Sequence, residues 1–219
     1  TVFSAGDPHY LTCIRSSLKP FQAAASVKAG AVNAARFNDQ ELALMCASHK
    51  GEDMHTRTAE NMLSKLGLTV DDLECGSHYP SDTNTRHRMI RENQDIKPLH
   101  NNCSGKHAGM LALAKHLSDD ISLYIQKEHP VQKTILEYIK DISGLEDIPT
   151  EIDGCSAPTP FMTLQTIASL FQVLAADVRP ELTRVFNAMS SFPEMIGGTD
   201  HFDSLFIESL NNRGITCLL

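Results

Sequence analysis

No apolar run in the sequence approaches the roughly 20 residues that a membrane-spanning helix needs, so a helical membrane protein is not expected. Positive charge is also scarce: 19 Lys and Arg stand against 27 Asp and Glu, for a net charge of -8. Such a surface repels phosphate backbones and argues against general nucleic-acid binding. The six cysteines, at positions 13, 46, 75, 103, 155 and 217, include no tight C-x-x-C pair and no small-scaffold spacing. Disulfides are therefore not demanded, and a reducing cytoplasm is the simpler setting. The opening TVFSAGDPHY lacks the basic-then-apolar pattern of a signal peptide. Internal repeats, low-complexity segments and long alternating strands are missing too. What is left, 42% apolar and 21% charged residues in a chain of 219, is the composition of one globular domain over 1–219.

Helical spacing dominates what is there. The segment SSLKPFQAAASVKA predicts a helix from Ser16 to Ala29, stopped by Gly30, with Pro20 tolerated because the first turn has no N–H partner to lose. Residues 38–66 predict two helices broken around Ser48 to Gly51. A further helix, SGKHAGMLALAKHL, places Met110, Leu111, Leu113 and Leu117 near one face. More helices are expected over Pro130 to Ile142, Thr159 to Ala175 and Pro180 to Ser190, and short strands over Pro149 to Ile152 and Ser204 to Ile207.

Three constellations carry possible chemistry. Ser16-Ser17-Leu18-Lys19 is an S-x-x-K at a helix start, where residues three apart share a face, so the Lys19 amine can approach the Ser16 hydroxyl. A desolvated amine of lowered pKa can take the serine's proton, and Arg15 can orient a substrate carboxylate. Most such motifs are only a helix cap followed by a solvated lysine. The second constellation, Ser48-His49-Lys50-Gly51-Glu52 at a helix break, offers a second hydroxyl and an acid or base in His49 or Glu52, or simply a polar cap and turn. In the third, Cys103 in NNCSGKH and Cys155 in DGCSAP can share a zinc ion with a nitrogen donor, for which His107 is the ordinary choice, or be two buried structural thiols.

Taken together and in order, RSSLKPFQ, SHKGE, NNCSGKHAGM and DGCSAPTP resemble the motifs of the zinc-carrying L-asparaginase family of rhizobial type, which is related in fold to serine β-lactamases and glutaminases. The resemblance runs from about Gly6 to Leu205. It implies an α/β (α+β), helix-rich, serine β-lactamase-like domain that hydrolyses L-asparagine to aspartate and ammonia, and it hints at a homodimer. By the same resemblance Ser16 and Lys19 form one serine–lysine tandem, Ser48 supplies the serine of a second, and Cys103, Lys106 and Cys155 hold zinc, with Asp153 beside the last ligand and, like Arg15, toward substrate. The second tandem's lysine is expected downstream of Gly197, but the last lysine of this chain is Lys140. Part of the central sheet is likewise expected to be missing at both ends. Two further readings are a non-catalytic zinc-binding remnant and a penicillin-recognising, β-lactamase-like hydrolase, the latter without a downstream K-T-G.

Overall fold

The computed structural model describes residues 3, 5–118 and 120–217. Strand β1, Leu11–Cys13, leads through a single 3-10 turn at Arg15–Leu18 into helix α1, Lys19–Lys28. Then come α2, Ala31–Ala34, α3, Asp39–Cys46, α4, Asp53–Lys65, α5, Thr83–Arg91, α6, Ser104–Leu117, and α7, Pro130–Ser143. Strands β2, Thr150–Ile152, and β3, Pro158–Thr163, are followed by α8, Leu164–Ala175, α9, Pro180–Ser191, α10, Pro193–Gly197, and α11, Phe202–Asn211. The described residues thus form a helix-rich α+β chain with one small antiparallel sheet.

Helix α6 is the axis of the core. Its first eleven residues, Ser104 to Ala114, are all buried, and α1, α2, α3, α4 and α7 pack around it. The expected single apolar face is thus a buried cylinder, and Leu117, assigned to that face, is 40% exposed. Close packing requires small residues here: a Cβ on Gly105 would come within 2.5 Å of the Leu44 carbonyl oxygen. Helix α3 is started by a reciprocal cap, in which Asn38 accepts from the Glu41 amide at 2.9 Å and Glu41 accepts from the Asn38 amide at 2.7 Å.

The sheet has the order β1-β3-β2, and β3 changes partners along its length. Pro158, Thr159 and Pro160 pair with β2, whereas Phe161, Met162 and Thr163 pair with β1. A proline cannot donate to a ladder and is excluded from a strand paired on both sides. The hand-over removes that conflict, because Pro158 and Pro160 stand in the half of the strand laddered to β2 alone.

Three expectations need correction. The helix expected from Ser16 begins at Lys19, because the preceding turn is tighter than α and places Pro20 at the second helical position. The helix expected from Thr159 begins at Leu164: its first residues are β3, and the Thr163 hydroxyl accepts from the Thr166 amide at 3.1 Å to start α8. The strand expected over Ser204 to Ile207 lies inside α11. Ser204 and Ile207, three apart, are the buried pair there, and the Ser204 hydroxyl bonds the carbonyls of Pro193 at 3.0 Å and Gly198 at 2.7 Å.

Candidate active site

Lys19 is the first residue of α1, yet it is only 1% exposed. Its amine donates to three oxygens: the Ala47 carbonyl at 2.6 Å, the Ser48 hydroxyl at 2.9 Å and the Asn102 carbonyl at 3.2 Å. Its three donors thus find three acceptors and no carboxylate. Burial lowers the pKa of Lys19 below the ordinary lysine value; nearby Cys103 opposes that shift and the charge of Lys106 adds to it. An amine so placed gives up its proton more readily than one in water.

Ser48 meets this amine because α3 ends at Cys46 and Ala47 turns extended. The loop beyond is fixed by His49, whose Nδ1 accepts from the Gly51 amide at 3.1 Å. That bond leaves Nε2 as the protonated nitrogen, 2.8 Å from the Ser104 hydroxyl. Gly51 has φ +77, with the His100 carbonyl 3.0 Å from where a Cβ would stand, so only glycine fits without strain. Buried on all sides, His49 holds the loop and does not face the cleft, and its burial keeps it well below the usual histidine range. The Ser48 side, by contrast, is exposed.

A cavity of about 400 Å³ opens over Ser48. Ser16, Ser17, Lys50 and Asp203 are among its other polar walls, and Phe171 and Met189 among its apolar ones. Ser16 follows Arg15, whose φ of +50 places a non-glycine residue in the left-handed region; such strain gathers at functional sites. Among the described residues no hydrogen bond joins Ser16 to Lys19. The lysine expected to serve Ser16 is bonded to Ser48, and both hydroxyls line one cavity.

Behind Lys19 lies a second group of buried side chains. The Cys103 amide is held by the Asn101 side-chain oxygen at 2.9 Å, and one turn along α6 the Lys106 amine lies 2.8 Å from the Cys155 sulfur. Cys155 sits in a turn closed by Asp153, whose carbonyl accepts from the Ser156 amide at 2.9 Å, with Ser156 at φ +69. The two thiols are close enough that a hydrogen bond from Cys103 stabilises a Cys155 thiolate, a shift His107 and Lys106 reinforce. The same bond, together with burial, keeps Cys103 protonated. His107 Nδ1 lies 2.7 Å from the Tyr124 hydroxyl, which accepts from the Glu74 amide, whereas its Nε2 is buried without a hydrogen-bond partner.

The family model described as L-asparaginase II matches residues 1–216. The chain belongs to the L-asparaginase II family. A search of curated proteins finds no match. The family is one of asparaginase-type amidohydrolases acting on small molecules, and no helix among the described residues is long and apolar enough to cross a membrane.

Within this L-asparaginase II chain, Ser16, Lys19 and Ser48 come together at the cleft, while Cys103, Lys106 and Cys155 come together behind it. The link is Asn102, whose carbonyl takes the Lys19 amine one residue before Cys103. Arg15 and Asp153, both expected at the substrate, pair with each other: the guanidinium reaches Asp153 Oδ1 from two nitrogens, at 3.0 and 2.9 Å. The pair ties the serine turn to the thiol turn. Lys50 and Asp203, both lining the cavity, went unassigned by sequence reasoning. Lys50 has a signal in its place within SHKGE, but Asp203 is brought in by α11 and nothing local marks it.

Proposed function

We propose that this chain hydrolyses L-asparagine to L-aspartate and ammonia, with Ser48 as nucleophile and Lys19 as the base that activates it. The observation carrying this reading is the buried, carboxylate-free Lys19 amine 2.9 Å from an exposed serine hydroxyl, in a chain matched by the family over 1–216. In its neutral form the amine accepts the Ser48 proton as Oγ attacks the side-chain amide carbon. Collapse of the tetrahedral adduct breaks the C–N bond, and the proton held on Lys19 passes to the departing nitrogen as ammonia. Water then attacks the resulting ester, giving its proton to Lys19, and the aspartate carboxyl is released as Lys19 returns that proton to Ser48. Ser16 supplies a second hydroxyl to the same cavity, and Lys50 and Asp203 have the charges to meet the substrate's carboxylate and ammonium groups. A serine β-lactamase-like architecture belongs to the same proposal.

Zinc belongs to it as well. Cys103, Lys106 and Cys155 would hold the ion. The donor chemistry fits, since two soft sulfurs and an amine converge in a buried place, next to a His107 nitrogen that has no hydrogen-bond partner. When bound, zinc supplies electrophilic polarisation or an anchor for a polar group of the substrate.

Purified, reduced protein mixed with L-asparagine is expected to release ammonia, and Ser48→Ala is expected to abolish the release while leaving the circular dichroism spectrum unchanged. No release from correctly folded, zinc-loaded protein would overturn the proposal and favour a zinc-binding remnant. Undiminished release from Ser48→Ala would move the nucleophile to Ser16.

A further inference from the structure

A different set of side chains gathers at the outer edge of the cleft. Glu52, Asp82 and His201 are the N-cap residues of α4, α5 and α11. One carboxylate oxygen of each acid and one ring nitrogen of the histidine lie within 4.8 Å of one another, and all three residues are half-buried. Three separate helices therefore aim potential metal ligands at a single point.

The set is neither a collapsed ion-pair cluster nor a loose acidic patch. Among the described residues no hydrogen bond or ion pair joins the three to each other, and no Lys or Arg pairs with Glu52 or Asp82, although the adjacent Asp53 pairs with both Arg57 and Arg88. The two acids are held in place from behind by backbone. Glu52 Oε1 accepts from the Thr199 amide at 2.8 Å, Asp82 Oδ2 accepts from the Thr85 amide at 2.6 Å, and the Asp82 amide donates to the Lys50 carbonyl at 3.0 Å. Gly198, at φ +91, lets the chain pass this close: a Cβ there would run into the Glu52 carboxylate and meet the His201 ring at 2.9 Å. The two carboxylates are thus positioned before anything binds, so little ordering of the acids remains to oppose binding.

We propose that Glu52, Asp82 and His201 form a binding site for a divalent first-row cation, separate from the thiol group, with two carboxylates and one imidazole as ligands and water completing the coordination. Hard oxygens with one borderline nitrogen suit manganese, cobalt or zinc in the divalent state and disfavour the soft ions that thiols select. The three helix N-termini carry partial positive charge that opposes a cation, while the two carboxylates, whose positions those same N-termini favour, outweigh it. Occupancy joins α11 to α4 and α5 and so holds Asp203 against the cleft. The proposal does not depend on what the cleft hydrolyses.

The test is a titration of the full chain, stripped of metal and kept reduced, with manganese, the free ion being followed by its electron paramagnetic resonance. One equivalent is expected to bind, and Glu52→Gln, Asp82→Asn and His201→Gln are each expected to weaken binding by about tenfold or more. Gln at 52 and Asn at 82 keep the acceptors that the backbone amides use, so these variants retain the fold, and circular dichroism checks each. Cys155→Ser should leave manganese binding intact. Cobalt separates the two sites by colour: the thiol group gives an intense sulfur-to-metal band that Cys155→Ser removes, whereas the carboxylate–imidazole site gives only weak visible bands that His201→Gln alters. No manganese binding by the parent chain, or equal binding by all three variants, would overturn the proposal, and neither result bears on the Ser48–Lys19 reading.

Discussion

Lysines at the surface of this protein and lysines in its interior keep different company. Lys28 pairs with Asp141 at 3.0 Å, Lys65 with Glu41 at 2.7 Å and Lys133 with Glu128 at 3.3 Å. Lys19 and Lys106, only 1% and 5% exposed, meet no carboxylate: Lys19 has a hydroxyl and two carbonyls, and Lys106 the Cys155 sulfur. An isolated buried ammonium is costly unless paired, and the usual response is a lowered pKa and loss of the charge. For Lys19 the interior arrangement therefore gives up stability for reactivity, as a proton acceptor requires, whereas Lys28 and Lys133 pair at the surface and Lys65 reaches the buried Glu41 carboxylate.

The sharpest way to break this contrast is Lys19→Met, which keeps the stem's packing and removes the amine. Ammonia release is expected to fall by about 1,000-fold, within the general-base range, while the melting temperature stays level or rises because a desolvated amine has gone. Adding Ser48→Ala should cost little more, since the two residues act as a unit. A large drop in melting temperature without loss of activity would show the buried amine to be structural. The readouts are steady-state kinetics and a thermal melt of the same preparations.

Acid titration is the next largest effect. Burial pushes His107 down to about 4 and holds His49 and His55 below the usual range. A histidine whose folded pKa is depressed takes up its proton in the unfolded chain first. Its contribution is therefore complete above about pH 6.5 and is lost as the pH falls from there toward 4. For His107 alone that loss is about 3 kcal/mol at the lower end. Urea midpoints measured from pH 7 to pH 4 should fall steadily, and His107→Gln should flatten the decline; a flat profile for the parent chain would contradict it.

The smallest effect belongs to the surface. Asp141 accepts from Lys28 and from Arg179 at 2.8 Å, and those two cations hold its carboxyl below the usual range. Exposed pairs of this sort contribute about 0.2–1 kcal/mol and are screened by salt. Asp141→Asn should thus lower stability by less than about 1 kcal/mol and leave activity untouched. A larger loss would mean that the surface network is more than it appears by geometry.

How much of this was legible in the sequence depends on the range of the cause. Local causes read well: the break between α3 and α4 at Ser48 to Gly51 follows from a polar turn with a glycine that must adopt positive φ, and the bounds of α7 and α9 follow from Pro130 and Pro180 in the first turn. Causes at a distance did not. Thr159 to Thr163 read as helix because apolar residues run on into α8, yet pairing with β1 and β2, more than a hundred residues away in one case, makes them a strand. Ser16 and Lys19 read as partners on adjacency, but a long side chain bends inward to the acceptors that Ala47, Ser48 and Asn102 offer. The grouping of Cys103, Lys106 and Cys155 was reached through motif resemblance, since their spacing alone favoured two structural thiols. Of Glu52, Asp82 and His201 only Glu52 stood out, as a possible acid or base within SHKGE, because their convergence exists only once α11 has folded back.

The Arg15–Asp153 pair has a consequence of its own. The turn bearing Ser16 and the turn bearing Cys155 are joined by the β1–β3 ladder, by the Arg15 amide donating to the Thr159 hydroxyl at 3.1 Å, and by this ion pair, whose arginine is 66% exposed. Screening shortens the reach of such a charge from about 8 Å at physiological ionic strength to about 3 Å in molar salt, while the ladder is indifferent to it. Added salt is thus expected to weaken the ion pair while the ladder keeps the two turns in register.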